Sequence, residues 1–244
     1  MEAGALRDQY SMEVDVYTRS IVGFALLCLM LTVSPSCAML MGDGTIKLFN
    51  GKNLVGWDYF LVDENVKMKD VWSVQDGLLV CKGEPLGHIH TKAKFKTNFK
   101  LFVEWRWAPG TEPGNSGVLL RINGEPRGIP RSHEAQLRSG SAGDLYGFHG
   151  MKIDGCSDRR RSANNETIGE LTGFGQMRKN ENDPGEWNLY EITSWGDRLS
   201  VKVNGERVNE AWGCELVEGP IGLQSEGGEI HFRRGELVPI GGEC

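Results

Sequence analysis

The chain has 244 residues, with 27 basic and 33 acidic side chains and a formal net charge of −6. Charged residues make up 25% of it and hydrophobic residues 39%, which is typical of a globular protein and excludes a disordered one. The acidic balance disfavours nucleic acid as a partner, because phosphate binding requires clustered Lys and Arg. The 33 glycines are about twice the usual share of roughly 7%, which indicates many turns and excludes a coiled coil or a multispan membrane protein.

Residues 1–42 are predicted to be a signal peptide with a short leader. Residues 21–33 form an apolar run directly after Arg19, and small residues follow it. This order is typical of secretory signals, and the run covers about 20 Å, less than the roughly 30 Å core of a bilayer. We therefore expect export to the periplasm or the extracellular space, with no transmembrane span after processing. Cys37 leaves a lipid anchor open as an addition to export.

From Thr45 onward the hydrophobic pattern has a period of two, which predicts β-strands. The first clear hairpin joins residues 71–75 to 78–81 through Asp76-Gly77, a type I′ turn signal. A long strand with one buried face is expected over 99–107, where hydrophobic and polar residues alternate. Further strands are expected over residues 118–122, 133–138, 187–195, 199–203, 221–224 and 229–232.

Short strands separated by turn signals every 8–12 residues are typical of an antiparallel sandwich or barrel. No amphipathic helix is predicted, and we expect one all-β domain over residues 43–240. Residues 156–179 are polar and contain Arg159-Arg160-Arg161, so this region is predicted to be a loop rather than a strand pair. Such a loop is either functional or a solvated insertion.

Four cysteines follow the predicted signal peptide, and none has the spacing of a zinc site. One or two disulfides could form among them, and unpaired thiols are an equal alternative; the four are Cys81, Cys156, Cys214 and Cys244.

His88 and His90 have an HxH spacing that could hold a metal, with a pair of solvent-facing side chains as the alternative. No cofactor is predicted, and a divalent metal stays open.

Common catalytic motifs such as GxSxG, HExxH and a phosphate loop are absent from the sequence. Polar residues instead stand on predicted central strands. Glu134, Gln136 and Arg138 share one face, and Arg121 is expected on the face opposite its apolar neighbours. Asp144 and Tyr146 lie in a turn bounded by glycines. Carboxylates and amides on the outward face of such a sheet suit sugar hydroxyls, although ordinary solvated side chains would give the same pattern.

A series of short stretches, in order along the chain, resembles the 3-keto-disaccharide hydrolase family. They include FNGKNLVGW at 49–57, WSVQDGLL at 72–79, NSGVLLR at 115–121, EAQL at 134–137 and GPIGLQ at 219–224. The resemblance implies a concanavalin A-like jelly-roll sandwich, in agreement with the strand pattern. The final family motif is altered at 232–239, which indicates an offset or a bulge at Gly235.

The same resemblance implies a substrate whose C3 hydroxyl has already been oxidised to a ketone. Cleavage would then proceed by removal of the C2 proton, elimination of the C1 substituent and addition of water. Glu134 is the expected general base, and Arg121 is expected to hold the ketone or enolate oxygen. The expected ligands of sugar hydroxyls are Gln136, Asp144, Tyr146, Gln224 and Glu226.

Two other functions remain open from the sequence. A non-catalytic carbohydrate-binding module could have the same fold, because a fold alone does not determine activity. An interaction domain in an exported assembly would bind no saccharide and would expose an apolar patch.

Overall fold

Antiparallel strands dominate the computed structural model, which describes residues 39–40 and 44–241. The predicted signal peptide lies outside these residues, apart from the two-residue strand β1. Within the described residues, no helix has the length and the apolar character needed to cross a membrane.

The helical elements among the described residues are one short helix, α1 (Met68–Val71), and one 3₁₀ turn (Ser157–Arg159). The strands are β1 (Met39–Leu40), β2 (Ile46–Lys47), β3 (Trp57–Leu61), β4 (Trp72–Gln75), β5 (Leu78–Cys81), β6 (Gly87–Thr91), β7 (Phe99–Trp107), β8 (Gly117–Asn123), β9 (Arg131–Gln136), β10 (Leu145–Gly147), β11 (Arg160–Asn165), β12 (Gly169–Phe174), β13 (Asn188–Trp195), β14 (Arg198–Val203), β15 (Glu206–Ala211), β16 (Gly222–Ser225) and β17 (Ile230–Pro239).

The strands form two antiparallel sheets, so the predicted two-sheet sandwich is confirmed. One sheet has the order β1-β2-β17-β7-β13-β14-β15, with β5 also paired to β17 and β4 paired to β5. The other sheet has the order β11-β12-β10-β9-β8-β16-β6-β3. Strands far apart in the sequence are therefore neighbours, and β16 lies between β8 and β6.

The core lies between the two sheets and follows the period of two read from the sequence. In β7, Phe99, Leu101, Val103, Trp105 and Trp107 are buried while the residues between them are half-buried. Burying side chains of this size is worth roughly 1.5–3 kcal/mol each, which accounts for the central place of this strand in its sheet. The predicted strand over 99–107 is confirmed.

The predicted turn at Asp76-Gly77 is also confirmed. Asp76 and Gly77 have φ values of 49° and 79°, and they connect β4 to β5. Both central residues of a type I′ turn require a positive φ, which Asp tolerates and Gly adopts without strain. This local chemistry sets the register of the hairpin.

The prediction of a loop over residues 156–179 is wrong for most of its length. β11 and β12 form a hairpin within it, with Arg160 paired to Phe174 and Asn165 paired to Gly169. Every residue of β11 is exposed, so this strand lacks the buried alternating face on which the sequence pattern depends. Pairing with β12 at the edge of the sheet stabilises β11 instead.

The irregularity expected at Gly235 lies slightly earlier in the chain. The pairing of β17 with β7 shifts between Phe232 and Arg234, and Gly235 itself pairs with Val103. A bulge adds one residue to one strand, and the strand then continues in register to Pro239.

The three described cysteines, Cys81, Cys156 and Cys214, form no disulfide with one another, and Cys244 lies outside the described residues.

Candidate active site

The face of the eight-stranded sheet that is turned away from the core carries the candidate site, and we name it the open face. On β9, Ala135 packs into the core between the sheets. Its neighbours Glu134 and Gln136 point the opposite way, because successive side chains in a strand alternate. The sequence prediction that these two residues share a face is consistent with this register.

A cleft with a volume of about 270 Å³ lies on the open face above β9, β10 and β11. Apolar side chains of Ile129, Phe148 and Leu171 form part of its wall. Its polar lining includes Asn115, Glu134, Gln136, Tyr146, Arg161 and Glu226. A concave apolar surface with a few converging polar groups is the usual form of a small-molecule site.

Glu134 is the most unusual group in this cleft. It is 1% exposed, and within the described residues neither carboxylate oxygen has a hydrogen-bond partner. Burial, with further contributions from the charges of Glu226 and Asp144, raises the pKa of Glu134 well above its usual range. A carboxylate without partners is costly to ionise in such a place, so the arrangement favours a role in proton transfer over a structural one.

Glycines make the position of Glu134 and its neighbour possible. A Cβ atom at Gly117 on β8 would collide with Oε1 of Glu134, so only glycine leaves room for this carboxyl group. A Cβ atom at Gly173 on β12 would likewise collide with the ring of Tyr146. The register aligns Glu134, Tyr146, Gly173 and Arg161 in one row across four strands.

Asp144 lies outside this row and holds two of its members, Tyr146 and Arg161, in place. Its fully buried carboxylate accepts hydrogen bonds from the Tyr146 hydroxyl at 2.8 Å, from Nη1 of Arg161 at 2.6 Å and from the backbone N–H of Gln176 at 2.7 Å. Nη1 of Arg161 also donates to the Tyr146 hydroxyl at 3.1 Å. With these three donors, Asp144 positions Tyr146 and Arg161, and it no longer fits the role of a direct ligand for a sugar hydroxyl.

Arg161 is the site residue that sequence reasoning missed. The region around it was predicted to be a loop, whereas the β11–β12 hairpin places it on the wall of the cleft. Its side chain is 53% exposed, and a guanidinium has five N–H donors, so donors remain available to a ligand. The sequence feature that could have pointed to Arg161 is the polar run after Arg159. This run does not show on which face of a strand each arginine lies.

The other predicted ligands lie on or beneath the same face. Gln136 lines the cleft, and its side-chain oxygen accepts the backbone N–H groups of Leu137 and Arg138 at 2.9 Å. Glu226 lines the cleft and is half-buried, and burial raises its pKa. Gln224 is fully buried on β16, and both polar atoms of its amide lack a partner within the described residues.

The structure does not bring Arg121 to the cleft. Arg121 has a φ of 57°, and the pairing of β8 with β9 is irregular between Leu120 and Asn123, so its side chain leaves the alternation on which the prediction relied. Its guanidinium is buried and donates to the carbonyl oxygens of Lys96, Glu215 and Gly196 and to the hydroxyl of Ser194. We therefore withdraw it as the group that holds the enolate.

We expect Arg121→Met to destabilise the protein rather than to act on catalysis. The substitution removes the donors to the carbonyl oxygens of Lys96 and Glu215, while the Gly196 oxygen keeps the Thr97 hydroxyl as a donor. Hydrogen bonds to charged groups contribute about 1.5–3 kcal/mol each. A loss of about 3 kcal/mol in the free energy of unfolding should appear in urea titrations, whereas the exposed Arg127→Met should change it by less than about 0.5 kcal/mol. Full stability with lost turnover would return Arg121 to the catalytic machinery.

The histidines do not form a metal site among the described residues. His88 and His90 share the open face, but no group of three or more His, Cys, Asp or Glu side chains that could hold a metal is found in that part of the chain. The expected solvent-facing pair is wrong for His88, which is 2% exposed. His133 points away from Glu134, as expected, and its ring contacts the carbonyl oxygen of Lys152 at 2.8 Å.

Comparison with solved structures shows the same fold in carbohydrate-active proteins. A proposed glycosyl hydrolase from Parabacteroides distasonis is 22% identical over 84% of this chain and 99% of its own, with a TM-score of 0.58. A second structure of this description from the same organism is 23% identical over 80% and 99%, with a TM-score of 0.55. The carbohydrate-binding module CBM66 from Bacillus subtilis is 12% identical over 75% and 96%, with a TM-score of 0.54.

These likenesses are below 25% identity and establish the fold alone. No curated protein matches the chain. The model of the 3-keto-alpha-glucoside-1,2-lyase-like domain matches residues 44–237, which is most of the chain and almost all of its described part. The chain therefore belongs to the family of 3-keto-alpha-glucoside-1,2-lyase-like domains.

Proposed function

We propose that this protein is an exported enzyme that cleaves the glycosidic bond of 3-keto-glycosides, with Glu134 as the general base. The observation that carries the proposal is the Glu134 carboxyl group, which is buried, lines a cleft and has no hydrogen-bond partner in the part of the chain that the structure describes. Family membership supports the reaction class, because the matched domain is described as lyase-like on 3-keto-glucosides.

The proposed reaction begins with the proton on C2, which the neighbouring C3 ketone makes acidic. Glu134 takes this proton, and the C–H electron pair forms a C2=C3 double bond while negative charge moves to the ketone oxygen. When the C3=O bond re-forms, a C1=C2 double bond is made and the C1–O bond breaks. The leaving oxygen takes the C1–O electron pair and a proton from water. The resulting hydroxide adds to C1 of the C1=C2 bond, and C2 takes back the proton from Glu134, which restores the carboxylate and completes hydrolysis.

A raised pKa suits Glu134 for this task. The strength of a general base increases with its pKa, and a proton next to a ketone still requires a stronger base than an ordinary carboxylate. The apolar wall of the cleft and the negative charge of Glu226 provide that increase. Donors on a bound sugar would supply the hydrogen bonds that the ionised Glu134 lacks.

Arg161 replaces Arg121 as the proposed partner of the enolate oxygen. It lines the cleft in the same row as Glu134, and its hydrogen bonds to Asp144 and to the Tyr146 hydroxyl hold it in place. Preorganised donors directed at developing charge are among the largest contributors to catalysis. Gln136 and Glu226 are then available to bind the remaining hydroxyls.

The proposed activity is tested with two chromogenic substrates, 4-nitrophenyl glucoside and its 3-keto form, each with and without a chelator. We expect release of nitrophenol from the 3-keto form alone, because ordinary glucosides lack the acidic C2 proton. Binding of the 3-keto form without release would favour a carbohydrate-binding module instead. Equal cleavage of both substrates would contradict the proposed elimination.

Glu226→Gln should move the pH dependence of the reaction to lower pH. The negative charge of Glu226 is the second cause, after burial, of the raised pKa of Glu134. Removing this charge lowers the pKa of Glu134, so the base becomes ionised at a lower pH and the rising limb of kcat/KM moves with it.

The matched control is Glu218→Gln, which removes an exposed carboxylate outside the cleft and should leave the limb in place. The prediction is contradicted if the rising limb of the kcat/KM pH profile stays at the same pH in Glu226→Gln or moves to higher pH. Either result would mean that the ionisation of Glu134 does not set this limb.

Export remains a proposal that rests on residues 1–42, since their signal-like pattern lies almost wholly outside the described residues. Expressed in a bacterial host, the processed protein should begin between residues 37 and 42, as read from its intact mass. A soluble cytosolic product that retains residues 21–33 would contradict export.

A further inference from the structure

A second pocket, larger than the cleft, lies on the open face beyond β16. Its volume is about 560 Å³, which is within the range of about 300–1,000 Å³ typical of small-molecule sites. Its lining includes Asp58, Phe60, His88, His90, Lys94 and Glu218. None of these residues has a role in the proposed reaction.

The loop between β8 and β9, residues 124–130, separates the second pocket from the cleft. Ile129 of this loop lines the cleft, whereas Pro126 and Pro130 line the second pocket. The loop folds over the open face, where the carbonyl oxygen of Gly128 lies 3.4 Å from Nδ1 of His88. The second pocket is therefore a distinct concavity that shares only this wall with the cleft.

A row of planar rings lies along the second pocket. The ring centroids of Phe60 and His88 are 6.3 Å apart with an interplanar angle of 20°, and those of His88 and His90 are 5.3 Å apart. Burial and the neighbouring His90 lower the pKa of His88 to about 4, so this imidazole is neutral near pH 7. Tyr59, which is 37% exposed, adds an aromatic side chain at the edge.

The charges around the second pocket limit what it can bind. Asp58, Glu125 and Glu218 contribute three carboxylates against the single ammonium of Lys94. This balance disfavours phosphates and acidic sugars, whereas carboxylates suit neutral hydroxyl groups as acceptors. Nδ1 of His90 is also buried without a partner within the described residues, which leaves one ring nitrogen unsatisfied.

Neutral hydroxyl-binding groups beside aromatic ring faces are the combination that recognises sugars, whose rings have apolar faces and polar edges. We infer that the second pocket binds a neutral, unoxidised saccharide independently of the cleft. The inference does not depend on the proposed activity, because a saccharide here requires neither a C3 ketone nor Glu134.

Titration calorimetry of the full chain with maltose and with cellobiose tests this inference. We expect at least one of the two disaccharides to bind, and Phe60→Ala to weaken that binding about tenfold by removing an apolar ring contact. Asp58→Asn, at an exposed position of β3, should weaken binding while leaving the core untouched. Thermal melts should confirm that both variants fold.

Glu134→Gln and Trp195→Ala are the matched controls, and neither should change the affinity. The first alters the cleft, and the second removes an aromatic side chain that is 51% exposed on the other sheet. The inference is overturned if neither disaccharide binds at millimolar concentration, or if folded Phe60→Ala and Asp58→Asn both bind as well as the wild type. It is also overturned if either control abolishes binding. Failure to cleave a 3-keto-glucoside would contradict the proposed function and leave this result unaffected.

Discussion

Glu134→Gln should lower kcat for a 3-keto-glucoside by about 10²- to 10⁴-fold, the usual contribution of a general base. The amide has nearly the shape of the carboxyl group and fits the space above Gly117, but it cannot accept the C2 proton. KM should change little, because the variant loses a group that acts mainly in the transition state. Single-turnover assays with the 4-nitrophenyl 3-keto-glucoside measure the effect directly.

The same variant should be more stable than the wild type at high pH. The pKa of Glu134 is raised in the folded protein, because its neutral form is favoured there. The resulting stabilisation is complete below the pKa of an ordinary glutamate. It is lost as the pH rises through the pKa of Glu134 in the folded protein. Glutamine does not titrate, and the difference in melting temperature should therefore grow with pH.

Glu166→Gln, at an exposed position, is the matched control and should change neither turnover nor melting temperature. Near-full kcat in Glu134→Gln would show that the base lies elsewhere. A loss of activity accompanied by unfolding at every pH would indicate a structural role only.

Arg161→Met should lower kcat by about 10²- to 10³-fold, the range measured when one donor to a developing oxyanion is removed. The substitution removes the guanidinium from the wall of the cleft and leaves Asp144 with Tyr146 and the Gln176 N–H as donors. Those two remaining donors should keep the protein folded. Arg161→Lys should recover only part of the activity, because an ammonium cannot replace the planar fork of donors.

Arg160→Met provides a close control for this prediction. Arg160 precedes Arg161 on β11, and its side chain lines a different cavity, beside Met151 and Asp154. We expect the control to keep wild-type kcat and a wild-type pH profile. Equal losses of kcat in Arg161→Met and Arg160→Met would contradict the prediction. They would show that turnover depends on the positive charge of the hairpin and not on a hydrogen-bond donor to the enolate oxygen.

Local chemistry explains which parts of the fold could be predicted from the residues. The Asp76-Gly77 turn depends only on the backbone preferences of two adjacent residues. The buried face of β7 depends on alternation within nine residues. The position of Glu134 and Gln136 on one face of β9 follows from the same alternation.

Arg121 shows where this reasoning fails. The alternation that places Glu134 predicts Arg121 on the same face of the sheet, but a positive φ redirects its side chain toward Lys96, Ser194 and Gly196. An arginine rarely adopts this conformation, and here its four hydrogen bonds offset the cost. Partners that lie 25 to 94 residues away in the sequence leave no local signal.

The strand pattern and the carboxylate on the open face could be read from the sequence, because they follow from preferences of neighbouring residues. That pattern left a sandwich and a barrel open, and the family resemblance implied the sandwich. The contacts of Arg161 with Tyr146 and Asp144 appear in the tertiary structure alone, as does the burial of Glu134 with no hydrogen-bond partner among the described residues. The register across β9, β10, β12 and β11 brings these groups together. Cross-strand register between distant segments depends on the packing of the whole sheet, which no short stretch of residues encodes.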